Sequence, residues 1–189
     1  MKPISALQYL SWSLFSKPVN DRVAYRAIKK NRCRSLVEVG LGEGVRCERM
    51  IRIAQKYSGG STVRYTGIDL FDGRDESQPQ LKLIEMHRQL NGMGAKAQLV
   101  PGDFANSIQR IANSHLRTDL LVAQCDSSSN VFDDEDFANA WRFLPRMLHA
   151  SSLVLLFYPN DEYEVFNFLE VEQKAQQLEA DATEAKRAA

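Results

Sequence analysis

The chain has 189 residues, 44% of them apolar and 25% charged, a length and a mixture that suit one globular domain with its own core and exclude a collagen-like or disordered chain. Its 24 basic and 24 acidic side chains cancel, so no global field draws it to nucleic acid or to an anionic membrane, and neither is expected as a partner. Cys33, Cys47 and Cys125 form no CxxC pair and no zinc-type spacing with histidine, which predicts buried, reduced thiols in a cytoplasmic protein.

From the N-terminus, Ile4, Leu7, Leu10 and Leu14 recur at helical spacing, predicting an amphipathic helix over residues 1–15 that lies on the domain by this stripe. Gln8, Ser11 and Ser13 interrupt the run and no small-residue cleavage site follows, so a signal peptide is not expected. No stretch reaches the ~20 apolar residues of a membrane span. Residues 18–21 read as a turn, and Val23, Tyr25, Ala27 and Ile28 carry a second helix. The short apolar run 35–39 ends in glycine and suits a buried parallel strand. Behind it, Cys47, Met50, Ile51 and Ala54 line one face of a helix, with Arg46, Glu48, Arg49 and Arg52 elsewhere and Gly59-Gly60 closing it.

The pattern then repeats: strand 62–70 and helix 81–90, strand 97–100 and helix 104–112, strand 120–125 and helix 137–148 kinked at Pro145, and strand 153–158. This alternation predicts an α/β fold, a doubly wound (Rossmann-like), mostly parallel sheet with helices on both faces. Residues 1–32 are expected as a helical cover over a core at 35–158, the whole of 1–169 forming one domain. Residues 163–168 offer one further strand. Residues 170–189 are polar, with Val171 and Leu178 their only large apolar side chains, and read as a protruding helix, a partner-contacting arm or a frayed tail.

The chemistry concentrates at Val37-Glu38-Val39-Gly40-Leu41-Gly42-Glu43-Gly44. Here the first strand turns into its helix, where a doubly wound sheet binds ligands. Glycines let the backbone turn tightly and approach a ligand, and the helix N-terminus adds amide donors and a partial positive charge. A dinucleotide GxGxxG is disfavoured, because Gly44 comes one residue early and Val45 holds the expected place. A P-loop is excluded, because no Gly-Lys-Ser/Thr follows. Glu38 would repel a pyrophosphate and suits a ligand with an ammonium group.

This pattern resembles the first motif of class I S-adenosylmethionine-dependent methyltransferases. The resemblance implies that Glu38 faces the methionyl end of S-adenosyl-L-methionine while Gly40, Gly42 and Gly44 wrap its carboxylate and ribose. Tyr65-Thr66-Gly67-Ile68-Asp69-Leu70 resembles the second motif, which gives Asp69, with Leu70 beside it, the ribose hydroxyls; a plain strand-end cap is the other reading of Asp69. Val100-Pro101-Gly102-Asp103-Phe104 resembles the third, which places Asp103 at the adenine amino group and Phe104 beside the ring. Asp103 also suits the N-cap of the following helix, and both roles can coexist.

Residues 119–126 resemble the fourth motif, and with it the small O-methyltransferases of the macrocin type. Asp126 is the candidate catalytic residue, a base for a hydroxyl acceptor. No metal set is assigned: Asn160 and Asp161 alone stand where metal-dependent members place an acidic pair, and Asp133, Asp134 and Asp136 read as caps of the fourth helix. His87, His115 and His149 fall in or beside helices and read as surface or helix-terminal groups. The family continues past its fifth strand with a helix and a final strand pair, which this chain lacks, and its fifth strand is preceded by Ala150-Ser151-Ser152 in place of a glycine pair. The resemblance therefore implies methyl transfer to a small-molecule acceptor. The reading beside it is a non-catalytic methyltransferase-like binding or assembly module, whose terminal helices would carry a homo-oligomer.

Overall fold

In a computed structural model, which describes residues 3–125 and 130–188, the first structure is a helix tied down by its own ends. Ser5 and Gln8 exchange hydrogen bonds as a reciprocal N-terminal cap and start α1 (Ala6–Phe15). The helix lies on the domain, but not by the leucine stripe. Leu7, Leu10 and Leu14 are exposed, whereas Tyr9 and Ser13 are buried and Trp12 half-buried. Aromatic packing sets the rotation: the Tyr9 ring meets Tyr57 edge-on at 5.3 Å, Lys29 sits over it, and Arg49 lies over Trp12. Only Ile4, just before the helix, is buried as its period suggests.

The chain continues through α2 (Asp21–Asn31), β1 (Ser35–Val39), α3 (Val45–Tyr57), β2 (Arg64–Asp69), α4 (Leu83–Asn91), β3 (Lys96–Pro101), α5 (Phe104–Ile111), β4 (Leu120–Gln124), α6 (Glu135–Trp141), α7 (Leu144–Met147), β5 (Leu153–Phe157), β6 (Tyr163–Asn167) and α8 (Phe168–Ala188). The expected fourth helix is two pieces, because Pro145 falls in the first turn of α7, where its missing amide costs nothing. The six strands order as β3-β2-β1-β4-β5-β6. The first five are parallel and β6 runs antiparallel to β5, so the doubly wound α/β sheet is present and its order reverses between β1 and β4.

Side chains alternate across the strands and build two cores. Leu36, Leu120, Val122, Leu155 and Phe157 face α1–α4, and Val37, Val39, Leu121, Ala123, Val154 and Leu156 face α5–α8. The C-terminal helix belongs to the second core. It begins at Phe168, buries Val171 and Ala175, and leans Leu178 on the same cluster. Trp141 is fully buried there, in edge contact with Phe132 and Phe166. No helix among the described residues is long and apolar enough to cross a membrane.

Candidate functional site

At the carboxyl ends of β1–β4 a cleft of about 1170 Å³ opens, at the reversal of strand order where such sheets take ligands. The glycine turn is its floor. Gly40 has φ +76°, and a Cβ there would lie 2.7 Å from Cβ of Gln124 on β4, so a side chain is excluded by conformation and by space. Its amide donates to the Ile68 carbonyl at 2.9 Å, pinning the turn to β2. Gly42, at φ +56°, has open space where a Cβ would stand. Gly44 precedes α3 in the left-handed region, and no side chain caps that helix, so its first amides are left to solvent or a ligand.

Asp69 ends β2 and lines the cleft with Leu70. Its oxygens are fully engaged. Oδ2 accepts from the Leu41 amide at 2.7 Å and Oδ1 from the Phe71 amide at 3.0 Å, while Arg74 donates to both from Nε and Nη2 at 2.6 Å each. Burial alone would raise this carboxyl, but the Arg74 and backbone hydrogen bonds outweigh it and hold Asp69 below the ordinary aspartate value. Asp69 thus locks the glycine turn to β2 and presents an arginine to the cleft.

Asp103 lines the cleft at the end of β3 and is the N-cap of α5, accepting from the Asn106 amide at 2.8 Å. Phe104, next to it, lines the cleft and stacks on Phe137 with ring centroids 4.3 Å apart. Of the sequence-predicted residues, Gly40, Gly42, Asp69, Leu70, Asp103 and Phe104 therefore meet in one cleft. Asp126 lies outside the described residues; Cys125, just before it, lines the cleft.

Glu38 stands elsewhere. On β1 its side chain points to the α1–α4 face, is fully buried, and is absent from the described lining of the cleft. Oε1 accepts from Arg46 Nε at 2.7 Å and Oε2 from the Tyr65 hydroxyl at 2.7 Å. Arg46, placed by its period off the apolar face, is itself buried. It also reaches the Gly40 carbonyl at 2.6 Å, Gln124 at 3.3 Å and Asp21 at 3.4 Å. Burial pushes Glu38 and Asp21 upward and works against the Arg46 charge, but the two carboxylates outweigh that and keep the guanidinium protonated. Glu38 meets a cation as its position suggests, and that cation is a side chain of the protein.

Of the acidic residues after β4, Asp133, Asp134 and Asp136 line the cleft, and Asp161 reaches back to the N-terminal segment. Asp134 caps α6 through the Phe137 amide at 2.8 Å, and Asp133 accepts from Asn130 at 2.9 Å. Asp161 accepts from the Val19 amide at 2.6 Å. Among the described residues no three His, Cys, Asp or Glu side chains gather as a metal site would need. His115 bonds Thr66 at 2.9 Å, and burial lowers its pKa; His149 pairs with Asp119 at 2.9 Å.

Sequence reasoning missed Lys17, Asp21 and Arg74, which all line the cleft, together with the buried role of Arg46. Arg74 lies five residues beyond Asp69 in a loop, and Asp21 belongs to a helix read only as cover. Neither carries a periodic or motif signal.

No protein-family model and no curated protein matches this sequence. Solved structures do match the fold. A SAM-dependent methyltransferase from Agrobacterium tumefaciens superposes with a TM-score of 0.52 at 12% identity, over 83% of this chain and 49% of its own. An SAH-bound methyltransferase from Podospora anserina gives 0.47 at 12% identity, over 96% and 80%. A methyltransferase from Geobacter sulfurreducens gives 0.48 at 17% identity, over 82% and 71%. The chain spans about half the length of the Agrobacterium protein, and what it shares with that protein is the Rossmann-like methyltransferase fold.

Proposed function

We propose that this methyltransferase-like fold binds S-adenosyl-L-methionine in the cleft above β1–β4 and transfers its methyl group to a small-molecule acceptor. One observation carries the reading: the open glycine turn, the Asp69 carboxylate at the end of β2 and the Asp103 carboxylate at the end of β3 border one cleft. The donor set suits the cofactor. The uncapped α3 amides match a carboxylate, Asp69 and Asp103 match hydroxyl and amino donors, and the cleft volume accommodates a nucleoside with an amino-acid arm beside a small acceptor.

The cofactor supplies a methyl group already activated on a sulfonium, so the chain's task is alignment and exclusion of water. Asp69 would exchange its Arg74 contacts for two ribose hydroxyls while keeping the Leu41 and Phe71 amides, so the glycine turn stays locked as the ligand enters. Leu70 and Phe104 would hold the base between apolar surfaces. For a hydroxyl acceptor we assign proton removal to Asp126 on its sequence position, and unchanged turnover in Asp126→Ala overturns that assignment.

The saturation of Asp69 by Arg74 favours a second reading, a methyltransferase-like module that binds no cofactor and acts in assembly. Thermal unfolding with adenosylmethionine, adenosylhomocysteine or NAD separates the two. A ligand at 100 times its Kd stabilises the native state by about 2.7 kcal/mol, a rise of roughly 5–10 °C at this size. A rise with the first two and not with NAD supports the cofactor reading. No rise with any of them leaves the assembly reading.

A further inference from the structure

We propose that Asp21, on the helical cover, and not Glu38 of the first motif, receives the α-ammonium of the cofactor's amino-acid arm. This rests on the reading above.

The strand order sets the direction of the ligand. On the cofactor reading, Asp103 just past β3 and Asp69 at the end of β2 take the adenosine end, so the amino-acid arm lies toward β1 and β4. On that side the cleft is bordered by Asp21 and Gln124. Glu38 cannot serve there without dismantling its surroundings: it is fully buried and holds two 2.7 Å hydrogen bonds, from Arg46 and Tyr65.

Asp21 differs on each point. It lines the cleft although it is only 4% exposed. Its two hydrogen bonds, from Arg46 to Oδ1 and from Tyr25 to Oδ2, are both 3.4 Å long, at the weak end of the range. Arg46 is committed elsewhere, with Nε on Glu38 and Nη2 on Gly40 at 2.7 and 2.6 Å. Arg46 gives its shorter contacts to Glu38, and Arg49, also in the lining, adds positive charge near Asp21. The Asp21 charge at the wall of the cleft is thus met by long contacts and stays undercompensated, and a buried charge in that condition gains from a cation that bonds it directly. An ammonium brings one positive charge and three donors to a carboxylate with room to accept them.

The test is calorimetric titration of three ligands into wild type and Asp21→Asn. The ligands are adenosylhomocysteine, its analogue without the α-amino group, and methylthioadenosine, which lacks the whole arm. Wild type is expected to prefer adenosylhomocysteine over the deaminated analogue by at least about tenfold. In Asp21→Asn that preference collapses, adenosylhomocysteine weakens by at least about tenfold, and methylthioadenosine stays within about twofold.

Three results overturn the proposal: a wild type indifferent to the amino group, an Asp21→Asn variant that keeps the preference, or an equal loss for all three ligands, which marks a structural role. The wild-type comparison stands even if the variant folds poorly. If wild type binds none of the three, the cofactor reading itself falls and takes this inference with it.

Discussion

The two halves of the sheet solve different problems. In the half β3-β2-β1, backbone and charge are spent on a ligand surface: a glycine turn in left-handed conformations, carboxylates at two strand ends, and a buried network of Glu38, Arg46, Tyr65 and Asp21 beneath it. In the half β4-β5-β6 the core is aromatic and aliphatic, around Trp141, Phe132 and Phe166. There the chain returns by the short β5–β6 connection and covers the sheet with α8. The first half is held by buried polar groups that depend on one another, and the second by packing that tolerates compromise.

That contrast can be broken from either side. The largest expected effect is Arg46→Ala, which strands Glu38 in the core and releases the Gly40 carbonyl. A loss of about 3–5 kcal/mol in denaturant unfolding is expected, with adenosylhomocysteine binding lost as well. Trp141→Ala should cost a similar or slightly smaller amount, about 3–5 kcal/mol. Calorimetry on the folded fraction should find a smaller loss of ligand affinity than Arg46→Ala gives, because the damage reaches the cleft only through Phe137, which packs on Trp141 and stacks on Phe104.

Asp21→Asn sharpens the comparison through its sign. Burial raises the Asp21 pKa in the folded state, so its stabilising contribution is present below the ordinary aspartate value and is lost as pH rises through the folded value. At pH 7 the asparagine variant should therefore melt above wild type, with the gap closing as pH is lowered into the carboxylate range. Equal melting curves at pH 7 would remove the claim of an undercompensated charge. The smallest effect is expected at Leu7→Ser, within about 0.5 kcal/mol, since Leu7 is 78% exposed. A larger loss would restore the leucine stripe as the packing face of α1.

The strands and the glycine turn were legible because parallel strands read as apolar runs and the turn needs residues of one type. What escaped was any feature set by a partner distant in sequence. The rotation of α1 follows Tyr57 and Arg49, not its own period. Arg46 has the same spacing signal as Arg49 and Arg52, and only the fold places it against Glu38. The carboxylate of Asp69 was visible at its strand end, but the guanidinium across it was not, because a loop residue carries no periodicity. The C-terminal helix was legible over 170–189, but its docking as α8 was not: its anchoring side chains, Phe168, Val171, Ala175 and Leu178, are too few to stand out in a polar run.

The anchoring of the cleft's N-terminal wall has a consequence in time. Lys17 and Asp21 form that wall, yet between them the Val19 backbone amide is held by Asp161 and the Asn20 side-chain amide by the Glu162 carbonyl, contacts that each span 142 residues. At about 5–20 residues per second of synthesis, the anchor emerges roughly 7–28 s after the wall it holds. The glycine turn and both strand-end carboxylates are made in that interval. A nascent chain therefore carries the floor of the cleft well before its side is fastened, and the contacts of Val19 and Asn20 with the β5–β6 connection form only after that floor is made.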